Sequence, residues 1–458
     1  MSHVLFLTQV LPYPLHSGAK IRAYYVLRHL ARSHEVTLVS FVREDDEPEA
    51  VAHLERFCRA VHPVRMRRSA LRDGRALVKS LLTGVPVVIA RDKIGEMEAT
   101  VRRLAQAGGF DVVHADQTSM VQYALQAREW AGRAPRLVLD AHNALYRVPE
   151  RMARHQPNGL RRALFRREAR ALQRYERAAY GQFDHVVFVT EVDRRELLQP
   201  STRRAQGGKP ATASRRRRRS NVSTACPEAS GELFEPPVEG LQGLNVPTAS
   251  SQPSTCNLQP ATSVIPICVD PDEKPLIERR PDPRAVTHLG TMFWPPNVEG
   301  VLWFAREVWP RVVDQVPGVR FTVIGKDPPR EVRELPARVR RVDVTGYVPD
   351  PEPYLAETAV FVVPLRAGGG MRVKIVDAWC WGVPVVSTSI GAEGIAAEEG
   401  RHVLVADEPA ALADAVVRVL RDPALGRRLR ENARRWVEER YDWRQVYGEW
   451  DEVYDGLA

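Results

Sequence analysis

The chain has 458 residues, 44% hydrophobic and 27% charged, with 66 Lys and Arg against 57 Asp and Glu for a net charge of +9. This length supports two ordinary domains with buried cores, and no apolar run approaches the ~20 residues needed to span a bilayer. Four of the nine net positive charges fall in Ser201–Thr262, and the modestly basic remainder suits anionic small molecules or an anionic membrane face and gives no case for nucleic acid. Five scattered cysteines without a CxxC pair argue against a disulfide framework or a zinc site and fit a reducing, cytoplasmic setting. The opening MSHVLFLTQVLPYPLH has no charged n-region or small-residue cleavage site, so its apolar part reads as a first strand.

That strand, residues 4–10, ends at Leu11-Pro12-Tyr13-Pro14, which continues neither a helix nor a central strand. Ser17-Gly18 opens an amphipathic helix to about residue 31, and residues 36–41 form the next strand. Gly18 thus stands at the helix start of a β–loop–α–β unit, where doubly wound sheets bind ligands, with Lys20 and Arg22 close by for ligand or solvent. Residues 65–82 and 160–177 are basic segments with leucines between their arginines. Each fits a solvated helix covering the core edge or a helix lying on an anionic membrane. Strands at 111–114 and 137–140 lead to His114 and to Asp140-Ala141-His142-Asn143, at strand ends that face the crevice of such a sheet. His142 reads either as a hydrogen-bonded structural histidine or as a functional one. Residues 186–190 read as the last strand of the first domain.

Ser201–Thr262 breaks every pattern beside it: rich in Ser, Thr, Pro, Gly and Gln, with Arg215–Arg219 in a row and no periodicity, it reads as a disordered insertion between domains. Beyond it, strands at 285–289, 320–324, 342–345, 360–364, 384–388 and 402–405 alternate with helices, the pattern of a second parallel sheet covered on both faces. Within it, Val360–Thr388 reads VFVVPLRAGGGMRVKIVDAWCWGVPVVST. Its continuous apolar strand runs into Gly368-Gly369-Gly370, then a helix over about residues 371–381 closed by Gly382. Glycines before a helix let the backbone approach a ligand, and the free N–H groups of the first turn favour an anion. Arg372 and Lys374 oppose the helix dipole there, which a bound diphosphate would offset; the plain alternative pairs Lys374 with Asp377 one turn on.

This stretch resembles the signature region of the retaining, nucleotide-sugar-dependent GT-B glycosyltransferases of family 4, of the bacterial exopolysaccharide type. The similarity extends over most of the chain outside the insertion. It implies two Rossmann-like doubly wound domains facing a cleft: 1–199 for the acceptor, then the insertion at 200–262, a donor domain at 263–426, and helices at 427–458 that cross back onto the first domain. It implies His142 as a catalytic positioning residue, with Arg372 and Lys374 stabilising the departing diphosphate. Gly18 and Gly368–Met371 would hold the donor, Gly346, Tyr347 and Val348 the base, and Asp377 the ribose. Lys20, Arg22, His114, Asn143 and Asn297 remain acceptor or cleft candidates. The resemblance further implies hexosyl transfer from a UDP- or GDP-sugar to a glycan or lipid-linked acceptor, without metal or other cofactor. The sequence departs from the family pattern at Gly369, where a glutamate is usual, at Asp377 for a second glutamate, and at Ile267-Cys268 for Asn-Gly. It also lacks the Arg–Lys pair after the first strand of the second domain, where Gly290-Thr291-Met292 stands. Two other functions fit the residues: a GT-B epimerase or phosphorylase, and a non-catalytic polyanion- or glycan-binding protein on a degenerate scaffold.

Overall fold

The computed structural model describes residues 1–44, 46–67, 69–198 and 260–457. Two parallel sheets organise them. The first comprises β1 (His3–Thr8), β2 (Glu35–Val42), β3 (Ala60–Arg65), β4 (Val112–Asp116), β5 (Arg136–Ala141), β6 (His185–Phe188) and β7 (Ala261–Val264), in the order β3-β2-β1-β4-β5-β6-β7. The second comprises β8 (Ala285–Leu289), β9 (Arg320–Ile324), β10 (Val342–Gly346), β11 (Thr358–Val363), β12 (Val385–Ser387) and β13 (Leu404–Val405), in the order β10-β9-β8-β11-β12-β13. Central strands such as β1 and β11 are buried on both faces, as their unbroken Val, Leu and Phe runs require. In each sheet the order reverses beside the first strand, β1 or β8, so the ligand crevice lies at the C-terminal ends of those strands.

One feature departs from the expectations, and a second follows from a departure of the sequence itself. The strand at 186–190 is not the last of its sheet: β7 pairs with β6 in register His185↔Ala261 to Phe188↔Val264. The boundary expected between residues 262 and 263 therefore falls inside the first domain. The rest of the expected insertion lies outside the described residues. Ile267 and Cys268, which stand where the family pattern has Asn-Gly, are buried and have no positive φ, as the change of residue type requires. Val269 N–H donates to Tyr441 O at 2.8 Å and receives Trp443 N–H on its own carbonyl at 3.1 Å, a strand-like bridge to the C-terminal segment.

Helix Pro423–Arg440 is followed by Trp443–Val446 and Glu449–Asp455, which return to the first domain. Trp443, Tyr447, Trp450 and Tyr454 bury there in the same apolar cluster as helix Gly18–Leu30. The Arg22 guanidinium lies 5.0 Å from the Trp450 ring centre and 5.4 Å from that of Tyr447.

Candidate active site in the interdomain cleft

On the second domain, three glycines end three adjacent strands: Gly290 after β8, Gly325 after β9 and Gly346 at the end of β10. A Cβ on Gly325 would stand 1.9 Å from the Gly290 carbonyl, so the backbones can meet this closely only without side chains. The Lys374 ammonium lies where a side chain at position 290 would be, 2.4 Å from the ideal Cβ, and donates to Asn297 Oδ1 at 3.0 Å. Asn297 is aimed by its own amide, which donates to Thr291 O at 2.9 Å. Lys374 thus reaches the spot at which the sequence lacks the family's basic pair. Burial and the neighbouring Arg372 push its pKa down to about 7. Behind it His288 is fully buried, donates Nδ1–H to Val362 O at 2.9 Å and is kept neutral by burial and the Lys374 charge.

Arg372 behaves differently from expectation. It stands one residue before helix Val373–Cys380 with its guanidinium folded back, Nη1 donating to Gly369 O at 2.5 Å and Gly370 O at 2.6 Å. It is therefore a strut inside the triglycine loop. Burial, and then the charge of Arg151, lower its pKa to about 10, and its Nη2 has no partner among the described residues.

The first domain supplies a charge-balanced quartet. Arg22 grips Asp140 with two hydrogen bonds, Nε to Oδ2 at 2.8 Å and Nη2 to Oδ1 at 3.1 Å, and Nη1 reaches Pro266 O at 2.6 Å and Tyr447 Oη at 3.3 Å. His142 Nε2 donates to Asp116 Oδ1 at 2.8 Å and lies 3.7 Å from Asp140 Oδ2. Burial alone would favour a neutral imidazole, but the two carboxylates overcome it and raise its pKa to about 9. Arg22 and His142 hold Asp140 ionised, its pKa lowered against burial. The loop after His142 is pinned from below: Glu176 accepts from Leu145 N at 2.8 Å and Tyr146 N at 3.1 Å, and Asp193 accepts from Ala144 N at 3.0 Å.

These two walls touch. Gly370 has φ of +70°, and a Cβ there would stand 2.6 Å from the His142 carbonyl and 2.8 Å from Asn143 Cβ. One on Gly369 would meet Ala144 O at 3.1 Å, and one on Gly18 would meet Val373 Cγ2 at 3.0 Å. The structure therefore brings Gly18, His142, Asn143, Gly369 and Gly370 to one seam between domains, next to Met371 and Arg372. An ion-pair cluster closes its flank: Arg151 donates to Gly368 O at 2.7 Å and to Glu393 at 2.5 and 2.7 Å, while Arg147 reaches Glu393 at 3.3 Å.

Other expected residues lie elsewhere. His114 is fully buried, bonded to Tyr454 Oη at 2.9 Å, stacked on Phe6 and held neutral by burial with a pKa pushed down to about 3. Lys20 pairs with Asp46 at 2.8 Å, and Asp377 pairs with Lys274 rather than with Lys374. Tyr347 is 68% exposed and Val348 half-buried, at the end of β10. Asp116, Arg151 and Glu393 were missed. Asp116 carried a usable signal, a carboxylate at the C-terminal end of a strand like Asp140; nothing local in the sequence marks Arg151 or Glu393. Asp116, Asp140 and His142 place three metal-type ligand atoms within 4.8 Å of one another, but Arg22 and His142 already neutralise both carboxylates.

Two doubly wound domains facing each other across such a seam define the GT-B class. Residues 17–206 match the family described as glycosyl transferase 4-like domain, and residues 283–422 match glycosyl transferases group 1. Between them these regions take in most of the chain, which belongs to the GT-B glycosyltransferases of the family 4-like kind. It is 26% identical over 169 residues to an "uncharacterized 44.6 kDa protein in cps region" of Klebsiella pneumoniae, over 35% of this chain and 44% of the relative. It is 28% identical over 154 residues to a phosphatidyl-myo-inositol mannosyltransferase of Mycobacterium leprae, over 32% of this chain and 41% of that one. The similarity thus spans less than half the length of either relative. Anabaena Alr3699/HepE, solved in complex with UDP-glucose, shares the fold over 100% of both chains with a TM-score of 0.60 at 16% identity.

Proposed function

We propose that the protein transfers a hexosyl group, with retention of configuration, from a UDP- or GDP-sugar to a hydroxyl of a glycan or lipid-linked acceptor during polysaccharide assembly. The observation that carries this reading is Lys374, whose ammonium stands over Gly290 at the topological switch point without a carboxylate partner among the described residues. A cation in that position meets the diphosphate as the sugar–phosphate bond breaks, and neutralising a departing diphosphate is the largest service such a site can offer. N–H groups around the triglycine loop add donors at the start of helix Val373–Cys380. The leaving phosphate oxygen takes the acceptor proton on the same face, and His142, held cationic, orients the groups around the anomeric carbon. The complex of HepE with UDP-glucose and the location of the Klebsiella relative in a cps region favour a nucleotide sugar and a polysaccharide context.

In this reading Lys374 replaces a divalent ion, so turnover is expected to be unchanged by EDTA. The setting is the cytoplasm, at the inner face of the membrane; no helix among the described residues is long and apolar enough to cross it. The test is a thermal-shift screen with UDP, GDP, ADP and their sugars on the wild type and Lys374→Ala, followed by assay of nucleotide release. One uridine or guanosine diphosphate should stabilise the wild type only. Equal shifts in both proteins, or no release with any donor, would remove the assignment.

A further inference from the structure

Arg151 stands in helix Arg147–His155 of the first domain and makes two kinds of contact with the second. Its Nη1 and Nη2 grip Glu393 at 2.5 and 2.7 Å, a two-point contact that fixes the plane of the guanidinium. In that plane Nη1 also donates to the Gly368 carbonyl at 2.7 Å, and the whole residue is buried, only 5% exposed. Arg147, one helical turn earlier, makes the first kind of contact alone. It reaches Glu393 at 3.3 Å and Glu196 at 3.4 Å, and among the described residues it has no bond to the triglycine loop. Tying the domains together therefore does not require a bond to Gly368. That bond needs a separate account.

The peptide planes supply one. Arg372 holds the carbonyls of Gly369 and Gly370 at 2.5 and 2.6 Å, so with Arg151 three successive carbonyls are each taken by a guanidinium. These peptide bonds are trans, and in a trans peptide the N–H points opposite to the C=O. The N–H groups of Gly369, Gly370 and Met371 are thereby turned away from the arginines. Gly370 and Met371 are buried, yet none of the three N–H groups meets an acceptor among the described residues. Buried N–H groups are rarely left in that condition. The buried Arg372 Nη2, which lies against Gly368, has no partner among the described residues either. Donors without acceptors beside uncompensated cations suit an anion. We propose that Arg151 is a positioning residue for the donor: from across the seam it holds the Gly368 peptide in the orientation that presents these N–H groups to the diphosphate, and Glu393 holds Arg151 in place. The donor site of the second domain is then complete only with the first domain against it. The inference deepens the donor-site reading above and rests on it.

The experiment is calorimetric titration of the full chain with UDP and GDP, in the wild type and three variants. Arg151→Gln should weaken binding of the nucleotide that the wild type takes by about 10- to 100-fold, the effect of a lost hydrogen bond to a charged group. Glu393→Gln keeps Arg151 but loosens its grip, and should give a smaller loss in the same direction. Arg147→Gln removes an ion pair between the domains without touching the loop, and should stay within ~3-fold of the wild type. Amide exchange keeps the test decisive even if Arg151→Gln loses stability. In the wild type, nucleotide should slow exchange at residues 369–371. In Arg151→Gln at saturating nucleotide those amides should remain as fast as without it, while the rest of the second domain is protected as in the wild type. Equal losses in Arg147→Gln and Arg151→Gln would reduce Arg151 to a tie between domains and overturn the proposal. Unchanged affinity in Arg151→Gln, with the wild type binding, would overturn this inference and leave the donor site standing. A wild type that binds neither nucleotide would remove both.

Discussion

The two walls of the cleft handle charge in opposite ways. On the first domain Arg22, Asp140, His142 and Asp116 are buried together with opposite charges interleaved. On the second, Lys374 and Arg372 have amide or carbonyl partners and, among the described residues, no carboxylate within bonding distance, and the Arg372 charge lowers the proton affinity of Lys374. A compensated network is rigid and needs nothing further, so it orients. An uncompensated pair of cations is stabilised by an incoming anion, so it binds. The location of charge within a site is therefore less informative than whether that charge already has a partner.

Breaking the compensation on the first wall should have the largest effect. Asp140→Asn leaves Arg22 buried without its counter-charge, and chemical denaturation should show a loss of about 3–5 kcal/mol. The same substitution takes one of two carboxylates from His142, whose pKa should fall from about 9 towards its ordinary value, as read by NMR of labelled histidine. A histidine raised in this way stabilises the fold fully below its unfolded pKa of 6.5 and loses that contribution as pH rises to about 9. On the second wall, Lys374→Ala removes the uncompensated cation and should lower kcat/KM by ~10²–10³ with little change in stability. An equal loss in Asp140→Asn with stability intact would erase the contrast.

A smaller effect is expected from Gly370→Ala, which puts a side chain at positive φ against the His142 carbonyl. It should destabilise the contact between domains by about 1–3 kcal/mol, and weaken donor binding while leaving each domain's far-ultraviolet signal unchanged. Smallest and sharpest is the proton count. With its pKa near 7, Lys374 is partly neutral at slightly alkaline pH, and a bound diphosphate restores its proton. Nucleotide binding should take up a fraction of one proton at pH values just above 7, and weaken as pH rises. Calorimetry in buffers of different ionisation enthalpy measures this directly. No uptake would mean that the second wall is compensated after all.

Local patterns in the sequence carried the alternating architecture and the triglycine loop, whereas the meeting of Gly18, His142 and Gly368–Gly370 was implied only by the family resemblance. The first two are visible within a few residues: a strand end, a glycine, a helix start. What stayed hidden depends on partners remote in the chain. Arg22 reads as a surface residue of an amphipathic helix until Asp140, 118 residues away, and Tyr447, 425 away, close around it. Arg372 and Lys374 look equivalent two positions apart. Only the backbone shows that one turns back to Gly369 and Gly370 while the other extends to Gly290. The expected boundary at 262/263 cuts through β7, because the long stretch before it carries no strand pattern and sheet membership is not a local property.

The returning helices have a consequence for biosynthesis. Tyr447 and Tyr454 bond Arg22 and His114, side chains made hundreds of residues earlier. While the ribosome is still translating the second half, the first-made half holds a buried guanidinium and imidazole without those partners, so it cannot reach its final packing one lobe at a time. Nascent chains arrested just before Trp443 should therefore be cut by protease within residues 1–198 far more readily than released protein, although every strand of β1 to β7 has already emerged.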